Sequence, residues 1–243
     1  MEVIMYKSIT FSLLAISSCI ARQPQNYNNL PQLKKNQLLI RATESENLKE
    51  IRTLVNAGAD ANYRTLHPMS LYYSPDQTAL IVATKHNDLA LMDLLIKKGA
   101  NVNTETSWDQ PHAGEPALTF AVANKSIEAV KKLLNAGANP NRYACRGNSQ
   151  LGRNIPILAF ALKIRAPEEI ITELIAHNVD PNLQAIMALT TPLTVAALIG
   201  NMQAVESLLK TNYSVTKQNI SLAYILADEY GHAEIAALLK KYL

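Results

Sequence analysis

Two apolar patterns alternate along the chain from residue 36 onwards, and together they predict a series of helix pairs. The first pattern has Leu at its third position and Ala at its sixth, a spacing that places both side chains on one face of a short helix. The second is an apolar helix that follows the first and stops at a Gly or an Asn. The first pattern occurs at residues 37–42, 78–83, 116–121, 156–161 and 191–196.

Each helix pair is followed by a residue that suits a reversal of the chain. A residue just past a helix often needs the left-handed conformation, in which Gly is best and Asn is tolerated. The reversal residues stand 41, 38, 41 and 34 residues apart, and such a period indicates a repeat array. They are Gly58, Gly99, Gly137, Asn178 and Asn212.

These residues resemble the ankyrin repeat, which begins T-P-L-H-x-A and ends L-L-x-x-G-A-D/N-x-N. Residues 191–193 match the beginning and residues 133–141 match the end. A sixth copy is visible at residues 222–239, so the resemblance covers residues 36–243. It implies an all-α solenoid of about six helix-turn-helix repeats joined by long, β-hairpin-like finger loops, stable because each repeat buries an apolar face on its neighbour.

The loops between repeats carry the residues that distinguish this chain. The family's usual period is about 33 residues, so the first three loops are several residues longer than the scaffold needs. Long loops in compact repeats are usually functional. We number them fingers one to four, at residues 62–76, 103–115, 141–155 and 182–190.

Aromatic and arginine side chains concentrate in the fingers, and these types dominate binding hot spots because they bury a large area and keep a polar end. The resemblance implies a concave binding face made of finger tips and inner helices, and hence a protein partner. The alternative is that the aromatics pack finger against finger. The predicted partner-binding residues are Tyr63, Arg64, Tyr72, Tyr73, Trp108, Asp109, Arg142, Tyr143 and Arg146.

Charge separates fingers two and three. Finger two carries three carboxylates and no Lys or Arg, and finger three carries three arginines and no Asp or Glu. The two lobes could match a dipolar partner, or they could satisfy one another. The arginines of finger three lie next to carboxylates and form no continuous basic stripe, and the net charge is only +3. We therefore expect no nucleic acid partner. The carboxylates are Glu105, Asp109 and Glu115, and the arginines are Arg142, Arg146 and Arg153.

Signatures of catalysis are absent from the sequence. None of G-x-S-x-G, H-E-x-x-H or G-x-G-x-x-G occurs. His67, His112 and Cys145 lie on three successive fingers, where irregular spacing favours ordinary loop residues over a metal site. Two cysteines exclude a disulfide framework. We therefore expect a non-enzymatic, monomeric binding protein with no cofactor and no metal.

The N-terminus differs from the repeats. An apolar run of 13 residues, 9–21, follows Lys7 and is shorter than the roughly 20 residues of a transmembrane helix. Such a run after a positive charge is typical of a secretory signal peptide. Residues 14–19 resemble the lipobox of bacterial lipoproteins, which implies that cleavage leaves Cys19 to be acylated. Cleavage after Ala21 would instead give a plain exported protein.

The sequence thus predicts three segments: a signal peptide at 1–18, a tether at 19–35 and an ankyrin repeat domain at 36–243. We expect an exported bacterial protein that is periplasmic or anchored to a membrane only through a lipid on Cys19. Secretion or a cytoplasmic location is the alternative. Its function would be to hold a protein partner, either as a general scaffold, as an accessory or protective subunit of a secreted enzyme, or as a host-directed effector of an intracellular bacterium.

Overall fold

The computed structural model describes residues 27–63, 77–106, 114–144, 155–185 and 190–243. These ranges hold twelve α-helices, a short 3-10 helix at Tyr27–Asn29, and two short strands, β1 at Tyr143–Ala144 and β2 at Ile155–Pro156. The inner helices are α1 (Gln32–Glu44), α3 (Ala79–Lys85), α5 (Ala117–Ala123), α7 (Ile157–Lys163), α9 (Pro192–Ile199) and α11 (Lys217–Glu229). The outer helices are α2 (Leu48–Asn56), α4 (Leu89–Lys97), α6 (Ile127–Asn135), α8 (Glu168–Ala176), α10 (Met202–Leu209) and α12 (Ala233–Lys240).

The helices form two stacked layers. Each inner helix packs on the next inner helix, each outer helix packs on the next outer helix, and the two members of every pair pack together. A stack in which each repeat touches only its neighbours is a solenoid. The predicted all-α ankyrin solenoid of six helix-turn-helix repeats is confirmed.

The Leu and Ala of the first pattern lie in the core between the layers. Both residues are at most 2% exposed in all five copies, from Leu39 and Ala42 to Leu193 and Ala196. Ala at this position lets the neighbouring helix approach closely, and the Leu fills the space between the layers. The spacing read from the sequence therefore marks the side chains that join the repeats.

The chain reverses after most outer helices at the residues expected. Gly137 has φ 86° and Asn178 has φ 66°, both in the left-handed region. At Gly137 the reversal lets the N–H of Ala138 donate to the carbonyl of Leu133 at 2.9 Å, which satisfies a carbonyl at the helix end. The same expectation is wrong for Asn212, whose φ is not positive, because α10 closes its last turn with a bond from Thr211 N–H to Leu208 O.

The folded array begins before residue 36. Helix α1 starts at Gln32, and the Nζ of Lys35 donates to the carbonyl of Ala57 at 2.8 Å. Further upstream, the hydroxyl of Tyr27 donates to Oε1 of Glu50 at 3.1 Å. Burial and this carboxylate raise the pKa of Tyr27. Residues 27–35, expected to be tether, therefore pack on the first repeat, while the proposed leader lies outside the described residues.

Candidate functional site

The bases of the fingers are joined by a ladder of asparagine side chains. The amide of Asn103 donates to the carbonyl of Gly137 in the next repeat at 2.9 Å, and its oxygen accepts the N–H of Asn139 at 2.8 Å. Each other member makes the same pair of bonds, so each of the four junctions from the first repeat to the fifth has one such bridge. The asparagine ladder consists of Asn62, Asn103, Asn141 and Asn182.

A second side chain orients each member of the ladder. The Oδ1 of Asn139 accepts the N–H of Asn141 at 2.9 Å, and Asp180 holds Asn182 in the same way at 2.8 Å. This local turn, in which a side chain bonds the backbone two residues on, is a common role of Asn and Asp. It explains the D/N-x-N at the end of each repeat, a role that the sequence interpretation missed because it considered only the helix reversal.

Short antiparallel pairings start two of the fingers above the ladder. In finger three, Tyr143 pairs with Pro156 and Ala144 with Ile155. In finger two, Glu105 forms a bridge with Pro116. Fingers two and three therefore begin as β-hairpins at their bases, as expected. We call the line of described finger bases the finger edge, made of residues 62–63, 103–106, 141–144 and 182–185.

Three of the predicted partner-binding residues lie on the finger edge. Tyr63, Arg142 and Tyr143 are half-buried, and Arg142 and Tyr143 follow the ladder residue Asn141 directly. They are the predicted residues that the structure allows to be placed. The others, together with the proposed lipidation site, lie outside the described residues: Arg64, Tyr72, Tyr73, Trp108, Asp109, Arg146 and Cys19.

The acidic and basic fingers contact each other at their bases. The guanidinium of Arg142 forms an ion pair with the carboxylate of Glu105. Their side chains are 42% and 20% exposed, and an accessible pair of this kind contributes only about 0–1 kcal/mol to stability. Of the two interpretations left open by the sequence, mutual satisfaction therefore holds for this pair, which aligns finger two with finger three.

The helical part of the expected concave face is almost wholly buried. In the four middle inner helices, the side chains of residues 79–84, 117–122, 157–162 and 192–197 are all buried. Only the last turn of each helix is accessible, at positions such as Lys163. In these four helices the accessible part of the expected concave face is therefore limited to the last turn, and the fingers supply the rest of it.

Charged side chains join the repeats along the opposite edge, where the inner helices turn into the outer ones. Arg52 binds both carboxylate oxygens of Asp88, at 2.9 and 2.8 Å, in the next repeat. Burial acts to raise the pKa of Asp88, but the N–H of Leu91 at 2.9 Å and the Arg52 guanidinium together outweigh it and lower that pKa. Asp88 therefore stays ionised while it caps α4 and links two repeats.

Glu46 makes a similar link between the first two repeats. It bonds the Nζ of Lys85, and its Oε2 lies 2.7 Å from Nε2 of His86. The hydrogen bond from Lys85 is the main reason that the pKa of Glu46 is lowered, and partial burial opposes it. The carboxylate is thus stabilised in its charged form in the folded state.

Replacement of Glu46 with Gln is expected to destabilise the chain slightly at pH 7 and less at pH 3. Because the folded-state pKa of Glu46 is lowered, its stabilisation is complete above the unfolded pKa of about 4.3 and is lost as pH falls through the folded value. The side chain is 36% exposed, so the effect at pH 7 should not exceed about 0.5 kcal/mol. Urea unfolding at both pH values measures it, with exposed Glu44→Gln as control; an equal loss at both values would contradict the prediction.

Within the described ranges, no group of three His, Cys, Asp or Glu is arranged to hold a metal ion. His67, His112 and Cys145 lie outside those ranges. None of the helices that the structure describes combines the length and hydropathy that a membrane crossing requires.

Comparisons with known proteins agree with the fold. A family model of ankyrin repeats, in three copies, matches residues 39–144. A putative ankyrin repeat protein of fowlpox virus is 28% identical over 194 residues, which are 77% of this chain and 52% of that protein. Cyclin-dependent kinase 4 inhibitor B of Bos taurus is 30% identical over 129 residues, which are 52% of this chain and 92% of the inhibitor.

A third relative is far longer. The ankyrin repeat and KH domain-containing protein mask-1 of Caenorhabditis elegans is 27% identical over 122 residues, 50% of this chain and 4% of that protein. The chain therefore spans about half the length of the fowlpox relative and a small part of mask-1. The repeats and the relatives support a scaffold for protein interactions, of a kind that is typically non-enzymatic. The chain belongs to the ankyrin repeat family.

Proposed function

We propose that the chain holds a folded protein partner along its finger edge and catalyses no reaction itself. The observation that carries the proposal is the asparagine ladder, which bridges each junction from the first repeat to the fifth. A ladder of this kind fixes the finger bases relative to one another. Loops held on a rigid support lose less conformational entropy when they bind than free loops do.

The chemistry of the edge favours a protein as the partner. Tyr63 and Tyr143 are half-buried at the bases of two fingers, so each offers an apolar ring and a hydroxyl group at a low cost in entropy. Specific protein interfaces cover about 800 Å² of each partner, an area that favours a surface such as the finger edge, which runs along several repeats. The bovine relative is named for inhibiting a protein kinase, which supports a folded protein as the class of partner.

The partner contacts are expected to lie above the ion pair of Arg142 and Glu105. Because Arg142 is already bound to Glu105, its part in recognition is to hold fingers two and three together. Truncation of Arg142 should therefore weaken binding through the loss of alignment, and Glu105→Ala should weaken it by a similar factor. If Arg142 contacted the partner itself, its loss would cost much more than the loss of Glu105.

Capture of a partner by the purified chain tests the finger edge. Proteins retained by the wild-type chain would be identified by mass spectrometry, and the affinity of the identified partner measured by calorimetry. Changing Tyr63 and Tyr143 together to Ala is expected to weaken that affinity at least tenfold, since hot-spot side chains carry about 1–4 kcal/mol each. Tyr230→Ala is the matched control, because this tyrosine is exposed at the opposite edge. Equal affinity of the finger variant and the wild type would exclude the finger edge as the site.

We also propose that the protein is exported and carries a lipid on Cys19. This rests on the apolar run and the lipobox-like residues 14–19. Labelling of cells with a radioactive fatty acid should mark the wild-type chain and not Cys19→Ser, which should also leave the membrane fraction. Unchanged labelling of the variant would refute the lipidation site.

A further inference from the structure

Exposed apolar side chains gather at one end of the solenoid. Six large apolar residues are exposed in the described part of the chain, and only Leu33 belongs to the first repeat. The other five belong to the last two repeats: Ile199, Ile225, Tyr230, Tyr242 and Leu243. An apolar group of this kind at one end of an otherwise well-buried array indicates a surface for association.

Ile225 stands out when the repeats are aligned on their structure. In each repeat a residue just before the outer helix donates its N–H to the carbonyl of the pattern Ala, as His232 does to Ala227. In the middle repeats, the residue two positions before this Ala is at most 2% exposed, whereas Ile225, at the same position of the last repeat, is 54% exposed. The equivalent residues of the middle repeats are Ile81, Thr119, Ala159 and Thr194. We call a position whose side chain packs against the next repeat a stacking position. Ile225 is a large apolar residue at such a position, and no described repeat packs against it.

Two other stacking positions of the last repeat are occupied by charged residues. Asp228 is exposed where the middle repeats have Thr84, Val122, Leu162 and Ala197, each 0% exposed. Lys240 is exposed where they have Ile96, Leu134, Ile175 and Leu209. A seventh repeat of the ordinary kind would bury the Asp228 carboxylate fully and the Lys240 side chain at least in part, so these residues disfavour continued stacking. We define the end face as Leu222, Ile225, Asp228, Glu229, Lys240 and Lys241.

The charges of the end face have opposite signs at its two ends. Asp228 and Glu229 lie at the end of α11, next to the turn into α12. Lys240 and Lys241 lie at the far end of α12, which packs along α11 and is about 10 Å long from Ala233 to Lys240. The face therefore has an acidic end, an apolar centre and a basic end.

We propose that the end face binds the same face of a second copy of this chain. A two-fold axis in the plane of the interface, passing through its centre and perpendicular to the line from the acidic to the basic end, would bring the two Ile225 side chains together. It would also place the acidic end of each copy over the basic end of the other. Two-fold interfaces use the same patch on both subunits, and a patch with this order of charges is complementary to itself. The self-complementary charge favours a second copy over an unrelated partner, and it revises the monomer expected from the sequence.

Sedimentation velocity of the full chain tests this proposal. We expect a monomer of 26.7 kDa at low concentration and a species of twice that mass as the concentration rises into the micromolar range. Ile225→Asp should raise the dissociation constant at least tenfold. Leu33→Asp, a matched change at the other end of the solenoid, should leave it unchanged. Circular dichroism of each variant shows whether the fold is kept. We expect that it is, because the side chains of Ile225 and Leu33 are both exposed.

Charge reversal provides a second, independent measurement. Asp228→Lys alone and Lys240→Asp alone should each weaken the dimer, because like charges would then face each other across the axis. The double variant Asp228→Lys/Lys240→Asp should restore it, since each copy would then meet an opposite charge again. Higher salt should weaken the wild-type dimer, because the screening length is about 10 Å at 0.1 M.

Four outcomes would overturn the proposal. The wild-type chain could stay monomeric at every concentration, or Ile225→Asp could leave the dissociation constant unchanged. The double charge variant could dimerise as weakly as the single variants, or the chain could form assemblies larger than a dimer that Leu33→Asp abolishes. The last outcome would mean head-to-tail stacking between the two ends. If Ile225→Asp fails to fold, the charge series decides the matter alone. None of these results depends on the finger edge, so failure here leaves the proposed function untouched.

Discussion

Replacement of Gly200 with Ala is expected to lower the free energy of unfolding by about 2–3 kcal/mol. Gly200 ends α9 in the left-handed conformation with φ 77°, which costs a residue with a side chain about 1–2 kcal/mol. A Cβ there would also lie 2.6 Å from Cε1 of His232 and 2.8 Å from its Nδ1. The His232 ring bonds the carbonyl of Leu198 at 3.1 Å, so movement of the ring would cost that bond as well.

The contact with His232, rather than the backbone, explains the glycine. At the same place in other repeats, Asn87, Lys125 and Arg165 have φ between 50° and 55°. The left-handed conformation is therefore compatible with side chains in this turn. Gly200 differs because a ring of the next repeat lies against it, and the substitution should loosen the last repeat first, since stability of a solenoid depends on contacts between neighbours.

Two controls separate the contact from the strain. Gly231→Ala has a similar φ of 79° and no heavy atom within 4 Å of the added Cβ, so it should cost only about 1–2 kcal/mol. Gly200→Ala made in a His232→Ala background should cost no more than that. Urea unfolding followed by circular dichroism measures the free energy of unfolding of the wild type, the three single variants and the double variant. If both glycine substitutions cost the same in the wild-type background, the ring contact is immaterial.

The features of the fold that were predictable are those that depend on neighbours in sequence. Leu and Ala three positions apart share one face of a helix, so Leu118 and Ala121 could be assigned to the core from their spacing. The reversal at Gly137 was predictable because Gly is the residue that tolerates its conformation best. Asn212 shows the limit of this argument, since an Asn permits the left-handed conformation without requiring it.

The features that were missed join residues about one repeat apart. Asn103 bonds residues 137 and 139, and no local pattern says that its amide bridges repeats instead of facing water. The pairing of Arg142 with Glu105 was one of two possibilities, because opposite charges on adjacent loops fit either a partner or each other. Exposure of Ile225 follows only from knowing which position stacks on the next repeat.

Replacement of Asn141 with Ala is expected to lower the free energy of unfolding by about 2 kcal/mol, since two hydrogen bonds are lost at about 0.5–1.5 kcal/mol each. Asn141 donates to the carbonyl of Asn178 at 3.0 Å and accepts the N–H of Asp180 at 2.7 Å. These bonds join the third repeat to the fourth, in the middle of the array. Because a solenoid is held by contacts between neighbours, unfolding should separate into two transitions that heat or urea can resolve.

The direction of the bonds gives a sharper test at the same position. Asn141→Asp keeps the acceptor for Asp180 N–H but places a carboxylate against the carbonyl of Asn178, so at pH 7 it should destabilise at least as much as Ala. Below pH 4 the protonated acid can donate again, and part of the stability should return. The matched control is Asn135→Ala, an exposed residue at the end of α6, which should change stability by less than about 0.5 kcal/mol.

The same substitution connects stability to function. Finger three starts directly after Asn141, so losing the bridge should let this finger move relative to its neighbour while the helices of each half stay folded. Under conditions where Asn141→Ala is still fully folded, its affinity for a captured partner should fall, whereas Asn135→Ala should bind like the wild type. Unchanged affinity of the Asn141 variant would mean that the ladder serves only to hold the repeats together, and the partner would have to be sought away from the finger edge.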